Sequence, residues 1–318
     1  MPVPRLFLPA LVAAVVILPL PAADSTMLDL VMPDAKVVAG FDAQRIQSSP
    51  FGQHVLRQME IHDKELSEFI TATGFDPRRD LSEILVATMS AQKHGDTIVI
   101  GRGFFDESKL SEFAAASGGT VSSYKGVKLL TGKGTNPGAL AFLGGSLVVL
   151  GNEAAVREAI DRRQAGEKIA GGTAVRIQQV SGRYDAWLFT LASPAALAPQ
   201  MAGPKAGGPV RSDLFQAVLE ASGGVRFGAN IEVSGEALTR SEKDASALAD
   251  VVRLLAGMAV SNRPADDPAL RVLESLELTT EGNVMRFSFT LTEADLEKLF
   301  KSGPHRGTRV RAVAHRPR

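Results

Sequence analysis

Residues 140–150 read LAFLGGSLVVL. Two apolar runs, Leu140–Phe142 and Ser146–Leu150, flank Gly144-Gly145. A short run on each side of a pair of glycines is the signature of a β-hairpin. The pattern returns downstream, where Leu273–Thr280 and Asn283–Leu291 flank Glu281-Gly282. Strands joined by hairpins pair antiparallel, whereas parallel strands need a crossover of a dozen or more residues. The expected class is therefore α+β, with mostly antiparallel sheets and helices packed on one face.

Outward from this hairpin, strand and helix signals alternate. Lys36–Phe41, Ile84–Met89, Thr97–Phe105 and Val127–Leu130 read as strands, the last beside a tight turn at Tyr124-Lys125-Gly126. Ser49-Pro50 starts a helix to about Met59, and Asp63–Thr73 forms another that Gly74 stops. Asp106 caps Glu107–Ser117, and Asn152 caps Glu153–Arg163. Ser, Asp and Asn at these positions satisfy the free N–H groups of a first helical turn. In the second half, Asp185–Leu191 and Val225–Val233 read as strands. Ser193-Pro194 starts a short helix, and Ser212–Ala221 reads as a helix stopped by Gly223-Gly224. Ser241–Asp244 and Thr292–Asp295 are capping boxes, the first opening a helix to about Val260. Pro199–Val210 is a Gly- and Pro-rich loop.

The same order of elements runs through both halves, and LSEF occurs at Leu66–Phe69 and Leu110–Phe113. Two similar repeats are expected, 24–166 and 167–300, meeting near Gly166–Gly182. Phe75-Asp76-Pro77-Arg78-Arg79-Asp80 is the most distinctive run. Asp76-Pro77 suits a cap followed by a first-position proline. That leaves Arg78 and Arg79 as candidates for gripping an anionic ligand or docking on a partner.

At this run the chain resembles a group of uncharacterised exported bacterial proteins of acidobacterial type. The similar features are GFDPRRDL (Gly74–Leu81), GRGFF (Gly101–Phe105), Tyr124-Lys125-Gly126, LGNEAAV (Leu150–Val156), SGGVRFG (Ser222–Gly228) and TRSEKDA (Thr239–Ala245). The resemblance covers roughly 28–300 and implies a degenerate two-repeat α+β protein. It carries over no activity and no site residues.

The two ends set the expected location. Arg5 precedes an uncharged apolar stretch, Leu6–Ala23, that closes on Pro21-Ala22-Ala23. This order is that of a secretory signal. A spanning helix needs about 20 apolar residues, and Pro9, Pro19 and Pro21 interrupt this shorter segment. Residues 1–23 are therefore expected to be a cleaved signal, with an uncleaved anchor as the alternative. The expected location is the periplasm or cell envelope. No later stretch is apolar enough to span. The far end, 301–318, holds Lys301, Arg306, Arg309, Arg311, Arg316 and Arg318 with no acid. Between 24 and 300 there are 28 Lys and Arg against 35 Asp and Glu. An acidic body thus carries a basic tail, read as disordered and suited to an anionic envelope surface.

Several chemistries fail on spacing. The chain has no cysteine, which excludes disulfides, thiol nucleophiles and thiolate metal sites. Gly126 and Gly132-Lys133-Gly134-Thr135 have the wrong interval for a phosphate loop, and Gly134 stands where Ser or Thr must hold magnesium. Gly101-Arg102-Gly103 lacks the third dinucleotide glycine and reads as a bulge or close backbone contact. Ser90/Lys93 and Ser122/Lys125 match Ser-x-x-Lys, without the companion elements of serine β-lactamases. His54 and His62 are not four apart, and His94, His305 and His315 are scattered. No metal or cofactor is assigned. Trp187, Tyr124 and Tyr184 are too few aromatics for a sugar groove or a nucleic-acid stacking platform. The expectation is a non-enzymatic binding or structural module. The alternative is a periplasmic hydrolase assembled from dispersed residues such as Asp76, Arg102, Glu153 and Asp185. Mass spectrometry of the envelope-fraction protein should find a new N-terminus after Ala22 or Ala23; an intact Met1 would establish the anchor instead.

Overall fold

The computed structural model describes residues 25–53, 64–89, 97–134, 137–191, 216–261, 267–292, 294–295 and 298. The signal segment, the basic tail, all five histidines, Ser90, Lys93, Thr135 and the Ser193-Pro194 helix start lie outside these residues. No helix among the described residues is long and apolar enough to cross a membrane.

The hairpin read at 140–150 forms as β6 (Gly138–Phe142) and β7 (Leu147–Asn152). The other strands are β1 (Val37–Asp42), β2 (Leu81–Thr88), β3 (Thr97–Gly103), β4 (Thr120–Tyr124) and β5 (Val127–Thr131) in the first half. The second half supplies β8 (Ala186–Thr190), β9 (Val218–Phe227), β10 (Ile231–Thr239), β11 (Glu277–Glu281) and β12 (Val284–Leu291). All twelve lie in one sheet, in the order β11-β12-β10-β9-β8-β1-β2-β3-β7-β6-β5-β4. Every pairing is antiparallel. The fold is α+β, as the hairpins indicated. The sheet does not break where two units were expected to meet. β1 pairs with β8, and strand order runs outward from that junction on both sides, with an additional hairpin, β4–β5, in the first half.

The helices are α1 (Ser25–Leu28), α2 (Ala43–Ser48), α3 (Lys64–Thr73), α4 (Pro77–Asp80), α5 (Glu107–Ala116), α6 (Glu153–Ala165), α7 (Gly171–Arg183), α8 (Glu242–Ser261) and α9 (Pro268–Glu274). The expected caps form. Asp76 accepts from the Arg78 N–H, Asp106 from Ser108 and Lys109, Asn152 from Ala155, and Ser241 Oγ from Asp244. Ser49 Oγ accepts from the Gly52 N–H at the start of the Pro50 turn.

Register places alternate side chains on two faces. Val149, Ile100 and Leu85 share one face with Trp187. There they pack with Ile160 of α6, Ile177 of α7 and the Met27–Ala35 segment in the main core. Burying each such Leu or Ile stabilises the fold by about 1.5–3 kcal/mol. Helices cover both faces rather than the one expected: on the opposite face Leu110 of α5 packs with Leu130, Phe142 and Val148, with Phe69 and Phe75 beside them. Leu248 and Ala249 of α8 cover Val218, Ala237 and Met285 on that same side.

Three segments differ from expectation. Residues from 218 onward in the expected Ser212–Ala221 helix are strand, and Gly223-Gly224 lies inside β9 rather than stopping a helix. The glycines answer to close packing. A Cβ at Gly224 would sit 2.5 Å from the Tyr184 ring and 2.3 Å from the Ala186 carbonyl oxygen; one at Gly223 would sit 2.7 Å from that of Ser234. Val225–Val233 is not one strand but the turn of the β9–β10 hairpin with its flanks. The expected boundary near 166–182 is largely α7, which Gly171-Gly172 and the uncapped Ala170 start conceal. Gly101–Gly103 does make a close contact: β2 bulges between Leu81 and Glu83, and a Cβ at Gly103 would meet the Asp80 carbonyl at 2.2 Å. Gly224→Ala forces apart strand and ring, and should cost about 1–3 kcal/mol as overpacked sites do, read as a lowered denaturation midpoint.

Candidate functional site

Among the described residues, the second half of the sheet leaves part of the α7-side face open. The end of α7 explains why. Tyr184 ends α7 in extended backbone, and its ring lies on the bare backbone of Gly224. Its hydroxyl meets Ser234 Oγ at 2.9 Å. Beyond this point α7 no longer covers the sheet, and the strands present polar side chains. The register sets Glu277, Ser288 and Ser234 in one row, and Thr279, Arg286, Glu236 and Ser222 in the next. With Val180, Arg183 and Tyr184 these residues line a cleft of about 240 Å³.

The charges in the cleft are mutually engaged. Arg286 donates to Glu281 at 2.7 Å and to Glu236 at 3.4 Å, and these carboxylates hold its guanidinium firmly charged. Ser288 Oγ donates to Glu277 at 3.4 Å. At the inner margin Glu220 pairs with Arg176 of α7 at 3.2 Å, and that guanidinium also lies over the Phe189 ring. Burial raises the Glu220 pKa, with Glu236 adding to the rise and Arg176 opposing it. The arrangement offers hydroxyls, carboxylates and two guanidiniums, Arg286 on the sheet and Arg183 at the end of α7. Ser234 meets a phenol there, which suits hydrogen bonding to a polar ligand.

The predicted candidates stand elsewhere. Arg78 makes a two-pronged contact with Asp76, at 2.9 and 2.8 Å. That bond holds the Asp76 carboxyl below its ordinary range. Arg79 does the same for Asp80, at 2.7 and 2.8 Å, and also reaches the Gly74 carbonyl. The GFDPRRDL run thus folds as a capped turn in which each arginine serves its neighbouring acid, with the Arg79 side chain 70% exposed. Lys301, Arg306, Arg309, Arg311, Arg316 and Arg318 lie outside the described residues. The dispersed hydrolase candidates are held by different partners. Asp76 is the α4 cap, Glu153 pairs with Arg157 along α6, and Arg102 reaches Thr26 and Glu83. Asp185 accepts from the Phe227 N–H and from Arg45. Arg102 and Asp185 do mark the ends of one charged row, in which Glu83 stands opposite Asp42 and Arg45 links Asp42 to Asp185.

The fold is similar to that of TP0453. The structure of its crystal form III matches at a TM-score of 0.52 and 9% identity, covering 86% of this chain and 97% of that one. Crystal form IV matches at 0.52 and 10%, covering 86% and 96%. No protein-family model and no curated protein matches the chain. At this identity the likeness concerns the path of the backbone alone.

Sequence reasoning missed the open polar face. Its residues come from α7, β9, β10, β11 and β12, and the start of β9, 218–221, reads in the sequence as the end of a helix. The alternation Ser222-Gly223-Gly224 and Ser234-Gly235-Glu236 was the available signal. Because the folded chain binds the Glu220 proton more tightly than the unfolded chain, stability should fall as pH rises from the ordinary glutamate range toward the raised folded value. Glu220→Gln removes this titration. The melting temperature of the wild type relative to that variant should therefore decline as pH rises above the ordinary glutamate range, about pH 4, read by thermal denaturation at each pH.

Proposed function

We propose that the protein is exported to the periplasm or cell envelope and acts there by binding rather than by catalysis. The observation that carries this reading is the separation of charge along the chain. Residues 301–318 hold six basic residues and no acid, whereas 24–300 carries an acidic excess. A basic segment gains about 1 kcal/mol per Lys or Arg near an anionic bilayer surface. An acidic body is repelled by the same surface. The tail therefore tethers the chain to phospholipid or lipopolysaccharide head groups, while the body stands off and presents its open polar face to a partner.

The internal pairing of the acids and bases in that face supports binding over hydrolysis. Arg286 is held between Glu236 and Glu281, and Arg176 is held by Glu220. Such groups orient a ligand through hydroxyls and charge, and their geometry is retained when the ligand leaves. Deleting 301–318 should abolish co-sedimentation of the exported chain with anionic vesicles, and added salt should weaken binding of the intact chain. Equal binding with and without the tail would overturn the tethering role.

A further inference from the structure

The two outer strands of the sheet differ in charge. β11 carries Glu277 and Glu281. β4, Thr120-Val121-Ser122-Ser123-Tyr124, carries no charge and no proline, and four of its five residues are exposed. Natural sheets guard their edges with charge, proline or bulges, because an open edge pairs with any compatible strand. Among the described residues β4 pairs only with β5. The outward groups follow from the hairpin. Lys125 and Gly126 form its two-residue turn, both with positive φ, so Tyr124 and Val127 form a hydrogen-bonded pair. Tyr124, Ser122 and Thr120 then direct their N–H and C=O groups to β5, and Val121 and Ser123 direct theirs outward. Gly119, next in this alternation, confirms the direction, since its N–H leaves the hairpin for the Ala114 carbonyl.

We propose that β4 is an interaction edge for a second copy of this chain, paired antiparallel about a twofold axis at Ser122. In that register Val121 and Ser123 of one copy form reciprocal hydrogen-bonded pairs with Ser123 and Val121 of the other. Every outward backbone group of the two strands is then satisfied. Thr120 falls opposite Tyr124, so no like charges meet. Val121, 42% exposed in the single chain, comes opposite Ser123 of the second copy and diagonal to that copy's Val121. The same operation on β11 about Thr279 would set Glu277 opposite Glu281 twice, which like-charge repulsion opposes. This contrast selects β4 as the pairing edge. A five-residue edge buries less than the roughly 1,200 Å² of stable interfaces, so the dimer is weak and concentration-dependent. The association joins two sheets into one and leaves the polar face at the far end of each copy free.

Ser122→Cys tests the register directly, because the chain has no other cysteine. Opposed residues that are not hydrogen-bonded lie about 4.5 Å apart at Cα, within the span of a disulfide. Under mild oxidation the full exported chain carrying S122C should give a disulfide-linked dimer as its main product. Glu281→Cys, on the other edge, should remain monomeric. Adding Val121→Lys to S122C leaves β4–β5 pairing intact and should suppress the dimer. Sedimentation of the wild type should show a dimer that grows with concentration and is lost in Val121→Lys. The proposal is overturned if S122C gives no more dimer than E281C, if V121K leaves crosslinking unchanged, or if S122C crosslinks only to other proteins.

Discussion

Trp187 of β8 lies across Gly40 of β1, where an added Cβ would come within 2.8 Å of the indole. The rest of the sheet depends on this contact. It sits at the pairing that joins the first seven strands to the last five. The indole needs bare backbone beneath it, and the neighbouring Tyr184 ring makes the same demand of Gly224. Both rings belong to the segment where α7 hands over to β8, and both are buried. Their stacking on glycine lowers α7 onto the sheet and seals the main core between Ile177, Val38 and Phe189.

The open polar face follows from that arrangement. α7 ends at Arg183, and Tyr184 closes the apolar region with its ring while pointing its hydroxyl at Ser234. On the other side of the sheet α8 and the β12 apolar residues supply the core for the same strands. The strands β9–β12 therefore have one dry face and one wet face, the usual state of an antiparallel sheet with a single covering layer. Where Glu220 sits at the margin between the two regimes, partial burial raises its pKa despite Arg176. That residue records how abruptly the environment changes.

Local signals carried much of the fold in the sequence. The hairpins at Gly144-Gly145 and Gly282, the caps at Asp76, Asp106, Asn152 and Ser241, and the stop at Gly74 act over a few residues and form as their chemistry requires. What was illegible depends on distant partners. Gly223-Gly224 resembles a helix stop until Tyr184 and Ser234 are placed against it. α7 lacks a side-chain cap, and its helicity depends on burying Ile177 in a core built from both halves. α2 was missed although Asp42 caps it by accepting from the Arg45 N–H, because Asp42 also ends a strand. The candidate site was hidden for the same reason, since its polar rows exist only once four strands, β9 to β12, stand in register. Arg78 and Arg79 show the reverse case: a conspicuous pair, each engaged by an acid beside it, Asp76 and Asp80.

The β1–β8 pairing has a temporal consequence. Val38 meets Phe189, and Gly40 meets Trp187, across a large stretch of intervening chain. During synthesis from the N-terminus, β1 emerges with one edge open and must wait for β8. β2, on its other edge, and β3 beyond that can pair meanwhile, so the waiting edge belongs to an already partly ordered sheet. Contacts of such long sequence separation slow folding, and an edge left open in the interval is exposed to wrong partners. The first half is thus not an autonomous unit in time. Its completion is scheduled by the arrival of Trp187.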